Sequence, residues 1–173
     1  MTSASRTVKL SLLLLAKGLG LFSLSRALTA RTPRILCYHG GSMADEHQFN
    51  PKLFMRSSTF EARVRWLKEH GFRSIDLDEL FDSLAKPSRR FKRTVVFTFD
   101  DGWFSTGDSL LPHLWRNQYK STLYLATRVF AARTPVLDVT VNYLIWKSKK
   151  YSVRLEGFSP ALDRTWSLHG PKE

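Results

Sequence analysis

The sequence predicts an α/β fold organised on a parallel sheet, and two observations carry that reading. Residues Thr94-Val95-Val96-Phe97-Thr98-Phe99 form an unbroken β-branched and aromatic run, the composition of a strand covered on both faces. A helical pattern over 108–117 separates that run from a second apolar run, Thr122 to Ala126, and strand, helix, strand at this spacing is a parallel crossover unit. Five strands are expected in all, at 34–38, 72–75, 94–99, 122–126 and 151–155. A complete (β/α) barrel takes about eight strands and roughly 250 residues. The 173 residues of this chain are therefore expected to form a partial, truncated barrel.

The first 33 residues differ from the rest. From Leu10 to Leu28 the chain is leucine-rich, and Arg6, Lys9, Lys17, Arg26, Arg31 and Arg34 all precede its first acid, Asp45. Basic residues beside an apolar segment suit an anionic lipid surface. Lys17 and Arg26 interrupt the run, and Leu13 and Leu24 share the basic quadrant of the helical wheel, so the segment is weakly amphipathic. Residues 1–33 are read as a retained, membrane-associating helix, with a cleaved signal as the alternative. This places the protein at a membrane or the cell envelope, with the cytoplasm as the other location. The formal charge of +12 includes two further clusters, Lys86–Arg93 and Lys147–Lys150, but no nucleic-acid recognition motif accompanies them and no nucleic-acid partner is expected.

Residues 34–173 are read as one α/β domain. Arg34 to Tyr38 is its first strand, running into His39 and the glycine turn Gly40-Gly41. The single cysteine, Cys37, has apolar neighbours and reads as a buried thiol without a disulfide partner. Ser42 to Met55 reads as a loop broken by Pro51. Ser58 and Glu61 have the spacing of a capping box, and Phe60, Val64 and Leu67 give the apolar stripe of the helix that follows. Gly71 closes it, with His70 beside the negative helix end in a structural role. Asp76 and Glu79 repeat the capping spacing ahead of Leu77, Leu80, Phe81 and Leu84. Pro112 belongs in the first turn of the helix over 108–117, whose Leu110, Leu111, Leu114 and Trp115 should face the sheet, with His113 on the surface. Beyond Pro135 a helix over 136–146 is expected.

The central strand ends in Asp100-Asp101-Gly102-Trp103. Two adjacent carboxylates repel each other in a low dielectric and need an offsetting cation or proton. Successive side chains on an extended backbone point to opposite sides, so the two acids should have different roles. Thr98-Phe99-Asp100-Asp101-Gly102 resembles the first motif of the polysaccharide deacetylase (NodB-homology) family, metal-dependent hydrolases that remove acetyl groups from sugars. Thr59-Phe60, Trp66-Leu67, Gly71-Phe72 and Leu77-Asp78-Glu79-Leu80 resemble the segment ahead of that motif. The resemblance, over about 34–126, implies a partial deacetylase-type barrel, Asp100 as general base, Asp101 as metal ligand and zinc as the ion. His39, in a Tyr-His pair that family members often carry, would stand at the site rim with Gly102 and Trp103, and an acetylated polysaccharide would be the substrate.

The family's second motif, a His-Ser/Thr-x-x-His pair, is missing: the histidines are His39, His47, His70, His113 and His169, and no two are spaced by four. Activity of this chain alone is therefore in doubt. Two other classes fit parts of the pattern. Paired acids after a parallel strand also hold magnesium in phosphotransfer or receiver-like domains. A non-catalytic, membrane-associated glycan-binding or partner protein is the third reading.

Overall fold

The computed structural model describes residues 3–85, 91–157 and 159–168. In chain order the elements are α1 (Ser3–Gly18), α2 (Leu21–Leu28), β1 (Arg34–Tyr38), β2 (Gly40–Ser42), α3 (Glu46–Phe49), β3 (Phe54–Arg56), α4 (Ser57–Glu69), β4 (Arg73–Ser74), α5 (Leu77–Leu84) and β5 (Thr94–Phe99). A π-helical turn (Thr106–Leu110) leads into α6 (Leu111–Arg116), followed by β6 (Ser121–Leu123), α7 (Thr127–Ala132), α8 (Leu137–Ser148), β7 (Ser152–Arg154) and β8 (Thr165–Ser167).

The central strand β5 organises the main sheet. Its neighbour β1 runs parallel to it in a register from Arg34↔Val95 to Tyr38↔Phe99. β4 pairs with the start of β5 and β6 with its end, both parallel, so these two short strands share the edge opposite β1. All six residues of β5 are buried, as its composition predicts. The period-two alternation divides them between two apolar clusters. Val95, Phe97 and Phe99 pack with Phe60, Val64 and Leu67 of α4 and with Leu110, Leu114 and Tyr119. Val96 packs on the other face with Ile75, Leu80 and Phe91. Complete burial of side chains such as Phe60 and Phe97 contributes on the order of 1.5–3 kcal/mol each.

Helix ends follow local chemistry where a backbone partner is near. Gly71, at φ 68, closes α4 with a reciprocal pair of bonds, Phe72 N to Leu67 O at 2.9 Å and Gly71 N to Lys68 O at 3.0 Å. Asp76 Oδ1 accepts from Glu79 N at 2.8 Å and caps α5. Ser58 and Glu61 form no such box. The helix starts at Ser57 with Arg56 in the cap position, two residues ahead of the expected cap, and Ser57 Oγ donates to Ser109 O at 2.8 Å, tying α4 to the π-helical turn.

Several expectations are corrected. The stretch 42–55 is not a loop throughout: β2 and β3 form a parallel pair, Gly40↔Phe54 to Ser42↔Arg56, around α3. The expected strand over 151–155 does not join the main sheet; β7 pairs antiparallel with β8 in a separate hairpin. In α5, Leu80 and Ser83 are the buried residues, whereas Phe81 and Leu84 are exposed. Trp115 is exposed too, while Leu110 and Leu114 fill the core. His113 is half-buried rather than on the surface, with Nε2 2.8 Å from Ser57 Oγ. The expected helix over 108–117 divides into the π-helical turn and α6, with Pro112 in the first turn of α6.

The amino-terminal segment is two helices bent by 72°, with Gly20 at φ 72 in the break. Among the described residues, no single helix is long and apolar enough to cross a membrane; the pair passes that test together, by length and composition only. Leu10, Leu12, Leu13, Leu14 and Leu15 are exposed along α1. Of the basic cluster over 86–93, Lys86, Arg89 and Arg90 lie outside the described residues, as does His169.

Candidate active site

The carboxyl ends of β1 and β5 lie side by side, because the parallel register continues from Tyr38↔Phe99 through Asp100 N, which donates to Tyr38 O at 2.9 Å. His39 and Asp100 are thus brought together by backbone pairing across 61 residues of sequence separation (100 − 39). His39 Nε2 is 3.7 Å from Asp100 Oδ2. Thr106 Oγ1 donates to His39 O at 2.7 Å, so the π-helical turn fixes the backbone of that histidine.

Cys37 joins them. Its Sγ donates to Asp100 Oδ2 at 3.2 Å, and its side chain is exposed, which corrects the expectation of a buried thiol. The reason is the sheet's alternation: Leu36 and Tyr38 point into the α4 side of the core, so Cys37 stands on the other face, where its side chain is exposed. Loss of hydration against the strand pushes the thiol above its usual range, and the hydrogen bond to Asp100 adds to the shift.

Asp101 turns elsewhere. Its backbone has φ 71 and that of Gly102 has φ 70, two consecutive left-handed residues that end the strand direction abruptly. The Asp101 carboxylate accepts from Trp103 Nε1 at 3.1 Å. The indole ring is half-buried and packs edge-on against Phe54, 5.1 Å between centroids. Gly102 has a packing reason as well as a conformational one, since a Cβ there would lie 2.3 Å from Leu125 Cδ1.

The five residues singled out by sequence therefore share one end of the sheet but divide into two groups, His39 with Asp100 and Asp101 with Gly102 and Trp103. The donor set implied by the resemblance, Asp101 with two imidazoles, is not assembled among the described residues. The one convergent group of three or more His, Cys, Asp or Glu among them is Cys37, His39 and Asp100. Cys37 was missed as a site residue; the signal for it was its i, i+2 spacing from His39, which puts both on one face of an extended strand.

A cleft of about 250 Å³ opens beside this group, lined by Cys37, His39 and the cations Lys52 and Arg63. A second, of about 230 Å³, is lined by Trp103, Phe54 and Tyr143 of α8.

No family model matches the chain. The Bacillus subtilis (strain 168) protein named "Putative polysaccharide deacetylase YxkH" is 26% identical over 91 residues, 53% of this chain and 30% of that protein. Among solved structures, the Streptococcus pyogenes deacetylase PplD, in complex with acetate, superposes with a TM-score of 0.52 at 22% identity, over 62% of this chain and 49% of that one. IcaB from Ammonifex degensii gives a TM-score of 0.46 at 22% identity, over 54% and 37% of the two chains. The chain thus spans about half or less of the relatives it matches. Over about half its length the chain is similar in sequence to a protein named as a putative polysaccharide deacetylase, and its parallel sheet resembles in fold part of the α/β structure of a solved deacetylase.

Proposed function

We propose that the chain carries part of the machinery for hydrolytic removal of acetyl groups from an envelope or extracellular glycan, and that these 173 residues alone, without the histidine pair of the resemblance, do not complete it. The observation that carries this reading is Asp100, which leaves the end of a fully buried parallel strand beside His39, on a fold shared with deacetylases. Chemistry in α/β folds is placed at that end of the sheet.

Hydrolysis of an acetamide or acetate ester needs a group that takes a proton from water as its oxygen attacks the carbonyl carbon. The C–N or C–O bond to the sugar then breaks, acetate departs, and the leaving amine or hydroxyl gains a proton. In this reading Asp100 takes the water's proton. Asp100 and His39 are both about one-third exposed, so water and a sugar acetyl group can reach them. The Trp103 ring beside Asp101 offers an apolar edge for a sugar face. By the resemblance alone, Asp101 would be a ligand of a divalent ion that would supply Lewis acidity, but the two imidazoles that would complete that set are not assembled among the described residues.

The exposed leucines of α1, beside Lys9 and Lys17, support a membrane surface as the place where residues 1–33 rest.

The test is ligand-observed NMR with the full chain, comparing acetylated chito-oligosaccharides with their deacetylated forms. The acetyl methyl groups should receive the strongest saturation, and Trp103→Ala should weaken the effect. Equal binding of the deacetylated oligosaccharide, or none of either, would refute an acetyl-directed glycan site.

A further inference from the structure

The group at the carboxyl ends of β1 and β5 has a chemistry that the deacetylase pattern does not assign. We propose that the chain binds a thiophilic divalent cation, zinc above all, through Cys37 Sγ, His39 Nε2 and Asp100 Oδ2.

Three lines of geometry support this. First, the sheet register points all three side chains to one face: Cys37 on β1 lies opposite Thr98 on β5, and His39 and Asp100 each follow two residues on, one position past the ends of their strands. The parallel pairing carries on past both strand ends through Asp100 N to Tyr38 O at 2.9 Å. Second, the spacing is close to that of a bound ion. Zinc bonds of about 2.0–2.3 Å to oxygen, nitrogen and sulfur in a tetrahedron place the donor atoms roughly 3.3–3.7 Å apart. Here the sulfur is 3.2 Å and the imidazole nitrogen 3.7 Å from the same carboxylate oxygen, and all three atoms lie within 4.8 Å of one another. Small side-chain rotations close the set. Third, the backbone beneath is held, by Asp100 N to Tyr38 O at 2.9 Å and by Thr106 Oγ1 to His39 O at 2.7 Å.

The donor types select the metal. One thiolate, one imidazole and one carboxylate suit zinc or cobalt, whereas magnesium takes oxygen donors in an octahedron. Three protein donors with the exposed side of Cys37 facing solvent leave a fourth position for water. Asp101 is outside the set, since its carboxylate is engaged by the Trp103 indole.

One consequence rests on the proposed function: an ion held here takes up Asp100, the carboxylate that reading makes the proton acceptor. The cation site would then compete with hydrolysis instead of serving it. Binding itself does not depend on that reading.

The experiment uses the full chain, reduced, titrated with cobalt(II) and then displaced by zinc. One equivalent of cobalt should produce a thiolate-to-cobalt charge-transfer band in the near ultraviolet. Cys37→Ala should abolish the band. His39→Ala and Asp100→Asn should each weaken binding by about tenfold or more, at least the loss that outer-shell changes cause at metal sites, while Asp101→Asn changes it by less than about twofold. As a second measurement without mutation, saturating zinc should slow alkylation of the sole cysteine by iodoacetamide about tenfold or more. A wild-type chain with no charge-transfer band, alkylation unaffected by zinc, or Asp101→Asn weakening cobalt as much as Asp100→Asn would overturn the site. None of these readouts involves a glycan, so failure here and failure of the deacetylase reading are separately visible.

Discussion

At Asp101 and Gly102 the backbone sits twice in succession in the left-handed region, at φ 71 and φ 70. Glycine adopts this freely, whereas a residue with a Cβ loses roughly 1–2 kcal/mol there. Asp101 carries that cost, offset in part by its bond to Trp103, and Gly102 avoids it. Gly102→Ala should therefore lower stability by about 1–3 kcal/mol in urea denaturation, because conformational strain adds to the contact with Leu125. An unchanged midpoint would show that the turn relaxes. Gly41 tests packing without the backbone factor. A Cβ there would lie 1.9 Å from Ser109 Oγ and 3.0 Å from the Ser105 carbonyl. Gly41→Ala should cost on the order of 1–3 kcal/mol by forcing β2 away from the π-helical turn. The two glycines have different reasons to be glycine: Gly102 stands in the turn its sequence suggests, whereas Gly41, also read as a turn residue, lies in β2.

Among the elements, α8 is held to the body by side chains instead of a buried stripe; none of its residues is fully buried. Phe49 of α3 packs against Tyr143 and Trp146, with ring centroids 5.6 and 5.8 Å away. Asp45 accepts from Lys147 Nζ and from Tyr143 OH. Lys147 first, then Tyr143, holds the Asp45 carboxyl below the usual carboxylate range. The sign follows from linkage. A carboxyl with a depressed folded pKa contributes stability that is present above its unfolded value, about 3.9, and is lost as the pH falls through the lower folded value. The Trp146 indole resonance should thus move towards its unstructured position as the pH drops below about 3.9, and Asp45→Asn should flatten that limb. Identical titrations of the two proteins would dissociate α8 docking from Asp45. The contact itself was not legible in the sequence, because Asp45 and Lys147 stand 102 residues apart. β2 was hidden for another reason: Gly40-Gly41-Ser42 has little strand propensity, and its pairing to β3 joins residues that no local pattern links.

For the whole molecule, the chain carries the acid pair but no histidine pair of the deacetylase spacing. The 173-residue chain with excess zinc should release acetate from acetylated chito-oligosaccharides no faster than its Asp100→Asn variant. Acetate release that depends on Asp100 would show that other residues complete the site. Among the described residues, the amino-terminal helices contribute none to either core cluster. A version starting at Arg31 should therefore keep the thermal transition of the body, yet lose sedimentation with vesicles of anionic lipid that the full chain shows. Equal sedimentation of both would remove the membrane from the account.

The sequence alone was enough to define β5, its burial on both faces, the helix stripe Phe60, Val64 and Leu67, and the acid pair at the strand end, because each depends on local composition and period. It also carried the resemblance that fold and relative support. Tertiary structure decided which acid meets which partner. Alternation along a strand predicts that Asp100 and Asp101 diverge, but their destinations depend on β1 pairing beside β5 and on the left-handed turn at Asp101. Only that pairing brings Cys37 and His39 to Asp100, since a parallel register joins residues that chain distance keeps apart.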